Sequence, residues 1–169
     1  DIPLYRFIVI LKRSLRTLSM VLFLISASSA FGWLLALLKV PAMITDLLIT
    51  VSPNEFVTLL IINAILLILG TVMDMAPLIL IATPILLPVA VNVGMDPIHF
   101  GIVMILNLAI GLITPPVGSV LFVGCSIGKI PVEKVLKSLL PFYLTMILVL
   151  LLVTFFPQIV MFLPNLLDS

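Results

Sequence analysis

The chain has 169 residues, of which 63% are hydrophobic and only 9% charged, and its formal net charge is +1. A mean hydropathy of +1.48 lies far outside the range of soluble domains and predicts an integral membrane protein. The absence of ten-residue polar/apolar alternation excludes an outer-membrane barrel, and no basic stretch with interleaved aromatic residues indicates nucleic-acid binding.

The first 52 residues predict one membrane span and a connection at the membrane interface. Lys12, Arg13 and Arg16 precede an apolar run from about Thr17 to Leu38, which suffices for one crossing at about 20 residues. The small and hydroxyl residues from Ser26 to Gly32 either allow tight helix packing or loosen the helix. The connection is marked by Lys39, Pro41 and Asp46. Because the chain begins with Asp1 and lacks the order of a signal peptide, we expect a piece of a longer protein.

Residues 53–93 predict a helical hairpin. Ser52 is a good N-cap and Pro53 a good first helical residue. One apolar arm runs to Leu69, the tip is Gly70–Pro77, and the second arm, with Pro84 and Pro88 inside it, continues to Val93. Each arm has about 16 or 17 residues, short of the roughly 20 needed for a crossing. A re-entrant hairpin is therefore favoured over two full spans with a solvated loop.

Residues 97–128 predict one discontinuous crossing. Asp96 is a plausible N-cap with Pro97 at the first helical position, and the helix from about Ile98 to Ile113 breaks at Thr114–Gly118 before resuming to about Ile127. Two adjacent prolines remove two N–H donors, and the flanking glycines favour unwinding. Freed carbonyls are tolerated at membrane depth only inside protein or along a cavity, so the break predicts a binding site. A proline kink that serves packing alone is the alternative.

Residues 129–140 predict an amphipathic helix along the membrane surface, and residues 141–163 predict the last span, ended by Pro164 and Asn165. Basic residues gather at 12–16 and 129–137, on the same side of the predicted topology. The positive-inside rule makes that side cytoplasmic, with Lys39 as the exception. The C-terminus then faces outward, and the hairpin enters from the outer side.

Asp74 is the only charged residue between Phe56 and Gly94, and it sits at the hairpin tip. A carboxylate near the bilayer centre costs at least about 2.5–3.5 kcal/mol, so it should face a cavity, an ion or a polar partner. With Thr71 and the carbonyls near Gly70, it offers oxygen ligands suited to a hard cation such as sodium. Zinc or copper would need a His/Cys set that His99 and Cys125 do not form.

The Thr114 break is a second oxygen-rich element. Its half-helices expose opposite dipole ends, so carbonyls favour a cation and free N–H groups favour an anion such as a carboxylate. Asn107, two turns before Thr114, either points into the same cavity or hydrogen-bonds a neighbouring helix. His99 is interpreted as a surface or packing residue, with proton sensing as the alternative, Cys125 as a small buried residue, and Trp33 as core or interface. Hydrolase, phosphate-loop and metalloprotease motifs are absent, so we predict no enzyme.

The hairpin tip Gly70-Thr-Val-Met-Asp74, followed by Gly111-Leu-Ile-Thr-Pro-Pro-Val-Gly118 and then Lys129-Ile-Pro, resembles the C-terminal half of the large membrane subunit of TRAP (tripartite ATP-independent periplasmic) transporters, over nearly the whole chain. The resemblance implies one half of an inverted-repeat, elevator-type secondary transporter, multi-pass in the bacterial inner membrane. Sodium would drive uptake of a dicarboxylate, a sialic acid or another sugar acid. No other cofactor is implied.

By the same resemblance, a periplasmic substrate-binding protein would deliver substrate to this subunit and its small membrane partner, and an N-terminal half would complete the site. The sodium site would comprise Gly70, Thr71, Asp74, Gly111, Thr114 and Gly118. The substrate site would draw on Ser28, Asn107, Thr114, Pro115 and Pro116. Alternatives are a divalent-anion/sodium symporter without binding protein, a channel-type subunit, and a non-transporting assembly subunit that docks through the 130–140 helix.

Overall fold

The computed structural model describes residues 4–51 and 54–167, and all regular structure in these two ranges is helical. The helices are α1 (Leu4–Leu37), α2 (Val40–Val51), α3 (Glu55–Val72), α4 (Met75–Asn92), α5 (Pro97–Leu112), α6 (Ser119–Gly128), α7 (Val132–Phe155) and α8 (Gln158–Leu167). Within the described ranges, α1, α3, α4 and α7 are long and apolar enough to cross a membrane. The predicted all-α membrane fold is confirmed.

The buried core lies between α3, α4 and α5, and α7 packs against one side of it. Leu66 of α3, Val89 of α4 and Leu108 of α5 are completely buried, and Leu150 of α7 joins them. Most large apolar side chains of α1 are exposed instead, as expected for a helix surrounded by lipid.

The helix α1 is longer than the predicted first span, because it begins at Leu4 rather than near Thr17. The basic residues at 12–16 therefore lie within it. The small-residue segment does not interrupt it. Ser28 and Gly32 are buried, and a Cβ on Gly32 would lie 3.6 Å from the Cγ of Pro84 in α4. Tight packing is confirmed, and local loosening of the helix is wrong.

The predicted connection after Lys39 contains a helix, which corrects the sequence interpretation. Lys39 adopts a positive φ of 54° and turns the chain, and α2 follows at once. The segment is apolar apart from a few residues, and Pro41 falls in its first turn, where a missing N–H costs little. Ser52 and Pro53, the predicted helix start, lie outside the described residues. The N-cap of α3 is Asn54, whose side chain accepts a hydrogen bond from the Phe56 N–H at 3.0 Å.

The hairpin arms α3 and α4 each have 18 residues and meet at Met73 and Asp74. They share few contacts with each other, because α3 packs mainly against α5 while α4 packs against α1, α2 and α5. Between them lies a cavity of about 260 Å³ with aliphatic walls that include Ile44, Leu69 and Leu86. Both arms have the length and composition of full spans, so the re-entrant arrangement stays a prediction.

The predicted interruption within residues 97–128 is present, and the crossing of the membrane by its two half-helices stays a prediction. The Asp96 carboxylate caps α5 by accepting the Ile98 N–H at 2.7 Å, and Pro97 occupies the first helical position. The helix ends at Leu112, and α6 begins at Ser119. The break between them coincides with the two prolines and is confirmed.

The segment after residue 131 differs from the prediction of a surface helix over 129–140 and a separate span over 141–163. A single helix, α7, runs from Val132 to Phe155 and includes Pro141. It ends at Phe156, the residue before Pro157, which has a non-helical conformation with φ −119° and ψ 79°. Pro164, predicted to end the span, lies inside α8. The amphipathic segment is thus the first part of the continuous helix α7, because no second helix-breaking residue accompanies Pro141.

Contacts fix the relative directions of the helices. The helices α1 and α4 run the same way, since Val21 and Leu24 border a cavity beside Asp74 while Gly32 lies against Pro84. The first third of α1 therefore extends beyond the hairpin tip.

The helix α7 runs opposite to α5. The Tyr143 hydroxyl donates to the Ile113 carbonyl near the end of α5, and the Val153 carbonyl lies 2.7 Å from the His99 Nε2 at its start. An apolar cavity joins Cys125 of α6 to Val135 at the start of α7. The turn between α6 and α7 thus also lies beyond the tip. Both basic groups, 12–16 and 129–137, are on the same side, as predicted.

A buried polar chain links α5, α3 and α7. The Asn107 amide nitrogen donates to the backbone oxygen and the Oδ1 of Asn63, each at 2.9 Å. The Asn63 amide nitrogen in turn donates to the Leu59 carbonyl and to the Oγ1 of Thr154 at 3.2 Å. The Oδ1 of Asn107 is buried with no partner among the described residues.

We expect Asn63→Leu to lower the free energy of unfolding by about 1–3 kcal/mol, because the fully buried Asn107 amide then loses its side-chain acceptor. Adding Asn107→Leu should recover part of this loss, since no unpaired amide remains buried. Denaturant unfolding of the full-length protein in detergent measures both, with Ala64→Leu on the exposed face of α3 as control. Additive losses in the double variant would contradict the direct coupling.

Candidate functional site

The hairpin tip docks directly on the break between α5 and α6. The carbonyl oxygen of Thr71, in the last turn of α3, accepts hydrogen bonds from the N–H groups of Val117 at 3.1 Å and Gly118 at 3.3 Å. Both donors belong to the non-helical segment between α5 and α6. The two interruptions of the apolar sequence, far apart along the chain, therefore form one site.

Two glycines make this docking possible. A Cβ on Gly111 would lie 2.6 Å from the carbonyl carbon and 2.8 Å from the Cα of Gly70, closer than side chains pack in proteins. A Cβ on Gly70 would lie 3.3 Å from the Cδ2 of Leu108. The helices α3 and α5 thus meet backbone to backbone, which small residues allow in membrane proteins. This crossing brings Thr71 within reach of the break.

Backbone oxygens converge at Gly118. This residue has a φ of 29°, and a Cβ on it would lie 3.0 Å from the Thr114 oxygen and 3.3 Å from the Leu112 oxygen. The Thr71 oxygen approaches Gly118 through the hydrogen bond already described. A residue with a side chain would fill this space and strain the backbone. The glycine therefore allows three carbonyl oxygens, two from the end of α5 and the break and one from the hairpin tip, to approach the same residue.

The threonine hydroxyls at the site donate hydrogen bonds to carbonyl oxygens about one turn earlier in the chain. The Thr71 Oγ1 donates to the Ile68 carbonyl at 2.7 Å, and the Thr114 Oγ1 donates to the Ile110 carbonyl at 2.7 Å. Each hydroxyl has one proton and two lone pairs, so each oxygen keeps acceptor capacity for a cation. Oxygen donors of this kind suit a hard cation.

Asp74 occupies a different part of the tip. It is the N-cap residue of α4 but makes no side-chain capping bond, and it is exposed. It borders a cavity of about 100 Å³ that also touches Leu24 of α1 and Leu80 of α4. The structure thus brings together Gly70, Thr71, Gly111, Thr114 and Gly118, and places the Asp74 carboxylate on the α1 side of the same tip.

The residues that are predicted to bind substrate lie in three places. Pro115 is partly buried and Pro116 exposed, and with Thr114 they form the open side of the break. Asn107 is completely buried and hydrogen-bonds Asn63, which favours the neighbouring-helix alternative stated for it. Ser28 is buried one turn before Gly32, on the face of α1 that packs on α4. Their roles toward substrate stay predictions.

Sequence reasoning missed Tyr143, Asn63 and Thr154. The Tyr143 hydroxyl donates to the Ile113 carbonyl, which the break leaves without its helical donor. A tyrosine within a span needs a partner for its hydroxyl, and that was the available signal. His99 and Cys125 are buried, which confirms the packing interpretations, and Trp33 is exposed.

Comparison with known proteins gives a consistent result. Residues 1–159 match the family described as "Tripartite ATP-independent periplasmic transporter, DctM component". The sialic acid TRAP transporter large permease protein SiaM of Vibrio cholerae is 42% identical over 165 residues, covering 98% of this chain and 39% of SiaM.

Two other relatives are similarly close. The uncharacterized protein YgiK of Salmonella typhimurium is 52% identical over 157 residues, covering 93% of this chain and 36% of YgiK. The isethionate TRAP transporter permease protein DctMQ of Oleidesulfovibrio alaskensis is 43% identical over 146 residues, covering 86% of this chain and 23% of DctMQ. The chain therefore spans less than two fifths of the length of these relatives.

We expect Gly111→Ala to destabilise the protein and detach the hairpin tip, because the new methyl group would overlap the Gly70 backbone. Overpacking of this kind costs about 1–3 kcal/mol. The matched control is Gly101→Ala on the same helix, where a Cβ meets nothing within 4 Å. The control should be neutral or stabilise by up to about 1 kcal/mol, since alanine favours a helix. Thermal unfolding of the full-length protein measures both, and equal losses would refute the backbone contact.

Proposed function

The chain belongs to the DctM component family of tripartite ATP-independent periplasmic transporters, and on that basis we propose that it forms part of a large permease subunit that carries an organic acid into the cell together with sodium. Members of this family are integral proteins of the inner membrane, and so is this chain. The observation that carries the proposal is the group of oxygens around Gly118, to which the hairpin tip and the helix break both contribute.

Sodium binds at this group in the proposed mechanism. Its ligands come from the carbonyl oxygens near Gly118 and from the hydroxyl oxygens of Thr71 and Thr114, whose protons are donated elsewhere. Asp74, three residues after Thr71, supplies a negative charge at the same tip. The Asp74 carboxylate acts on the cation through its charge from the α1 side of the tip, and the hard oxygen ligands match the preference of an alkali cation over a transition metal.

The depth of the site supports this role. At about 1.5 Å per residue, α5 is about 24 Å long and α6 about 15 Å. Together with the break they match a bilayer of about 40–45 Å including its headgroup regions. The break and the docked tip then lie inside the membrane, and the two 18-residue arms form a re-entrant hairpin that enters from the side opposite to the basic residues.

The substrate anion binds on the other side of the break. The first turn of α6, which directly follows Thr114, Pro115 and Pro116 in the chain, has no side-chain cap, and the exposed Ser119 adds a hydroxyl. A half-helix N-terminus carries a partial positive charge, which favours a carboxylate. Sialic acid, which the SiaM name specifies, a dicarboxylate and another sugar acid are the candidate substrates.

The complete transporter includes more than this chain in the proposal. An N-terminal half of the permease supplies the pseudo-symmetric hairpin and the other wall of the substrate site, and this chain forms the C-terminal half. A small membrane subunit binds the scaffold, which is the part of the permease against which the mobile transport domain moves. A periplasmic binding protein delivers the substrate. The transport domain then moves like an elevator, and sodium raises the population of the closed hairpin.

We expect Asp74→Asn and Thr114→Ala to raise the sodium concentration needed for half-maximal uptake at least about tenfold, in line with losses of metal-site groups. Uptake of labelled substrate is measured in proteoliposomes with the complete transporter. Asp46→Asn and Thr145→Ala are matched controls, because Asp46 is exposed on α2 and the Thr145 hydroxyl makes a similar bond to the Pro141 carbonyl on an exposed face. An unchanged sodium dependence in both site variants would sink the sodium assignment.

Dependence on the binding protein separates the transporter from its competitors. The proposal predicts that uptake saturates and falls to background when the periplasmic protein is omitted. A symporter of the divalent-anion type would retain sodium-driven uptake without it, and a channel would show flux without saturation or sodium dependence. If Asp74→Asn left uptake intact under every condition, we would assign this chain an assembly role within the transporter in place of a role at the ion site.

A further inference from the structure

The first third of α1 has a basic face and an apolar face on opposite sides. At 3.6 residues per turn, Arg6, Lys12, Arg13 and Arg16 fall within about a third of the helix circumference. Phe7, Leu11, Leu15 and Leu18 recur at spacings of four, four and three residues on the opposite side. All eight side chains are exposed. This pattern is typical of a helix that lies at a membrane interface.

The length of α1 places this segment at the membrane surface. Thirty-four residues at about 1.5 Å each give about 51 Å, far more than the hydrocarbon thickness of about 30 Å. The hairpin tip lies level with Val21 and Leu24 of α1. Arg6 is 15 residues before Val21, so it lies about 22 Å beyond the tip along the axis. Arg6 therefore lies in the headgroup region, and Lys12, Arg13 and Arg16, about 8–14 Å beyond the tip, reach toward it through their long side chains.

We propose that this basic face binds the headgroups of anionic phospholipids and so anchors the start of α1 in the surface of the bilayer. The apolar stripe opposite to it contacts acyl chains, while the arginine and lysine side chains extend to the phosphates. Charge complementarity selects the ligand, since the segment from Leu4 to Arg16 has four positive charges and no acidic residue. A zwitterionic lipid lacks the net charge to be favoured by it.

The second basic group makes a useful contrast. Lys134 and Lys137 begin α7 on the same side of the membrane, but Glu133 accompanies them and the helix continues directly into its span. Their field is partly neutralised by the adjacent carboxylate. Removing two charges from α7 therefore changes the net charge of the protein as much as removing two from α1, without touching the basic face.

The test is a titration of the complete purified permease with phosphatidylglycerol or phosphatidylcholine, in which bound lipid is counted by native mass spectrometry. We expect tighter binding of phosphatidylglycerol. Lys12→Gln with Arg16→Gln should weaken that binding by about fivefold per charge removed, and Lys12→Arg with Arg16→Lys should preserve it. Lys134→Gln with Lys137→Gln should change it less than about twofold.

Three results would overturn the proposal. Equal affinity of the unmodified protein for the two lipids is the first. Equal losses in the α1 and α7 variants would show an effect of net charge alone. Displacement of phosphatidylglycerol by millimolar inorganic phosphate would show a site for free anions in place of a lipid surface. The thermal unfolding of the Gln variant is compared with that of the charge-preserving variant, so a misfolded Gln variant cannot imitate the expected loss.

Discussion

The architecture depends on the mutual satisfaction of backbone groups where the hairpin tip meets the helix break. In a bilayer, a chain that leaves its helix exposes N–H and C=O groups that no water replaces. Here α3 ends and frees the Thr71 carbonyl, while the break frees the N–H groups of Val117 and Gly118. Each interruption supplies the partner that the other needs. The Gly70–Gly111 contact brings them within reach, so two common residues with no functional side chain make this polar contact possible.

The two hairpin arms are held by different parts of the protein. The arm α3 is fixed to α5 by the glycine contact and by the Asn63–Asn107 bonds, and to α7 by Thr154 and by stacking of Phe56 on Phe155, whose ring centroids are 4.1 Å apart. The arm α4 packs against α1, α2 and α5, and an apolar cavity lies between it and α3. A relative movement of the arms that left the α3 contacts with the break intact would therefore require α4 to shift against α5 as well.

Features set by local chemistry could be predicted from the sequence. The Asp96 cap, the Pro97 start and the break at Pro115–Pro116 follow from groups within a few residues of each other. The boundaries of α7 could not, because Pro141 and Pro157 look alike locally and only the latter ends a helix. The Asn63–Asn107 pair joins residues far apart in sequence, and nothing in the sequence around either residue predicts that the two are hydrogen-bonded. The composition of the candidate site was predictable, whereas the position of Asp74 beside α1 depends on how α4 packs.

The geometry of the break suggests why ion and substrate binding are coupled in the proposed mechanism. The N–H groups of Val117 and Gly118 are engaged by the Thr71 carbonyl, so an anion must use donors further into α6, beginning at Ser119. In the proposed mechanism the cation site and the anion site would then lie on opposite sides of Gly118. Withdrawing the tip would strand two donors and one acceptor inside the membrane, each at a substantial cost. A sodium ion bound by the Thr71 and Thr114 oxygens opposes that withdrawal, and so keeps the first turn of α6 in position to hold the carboxylate.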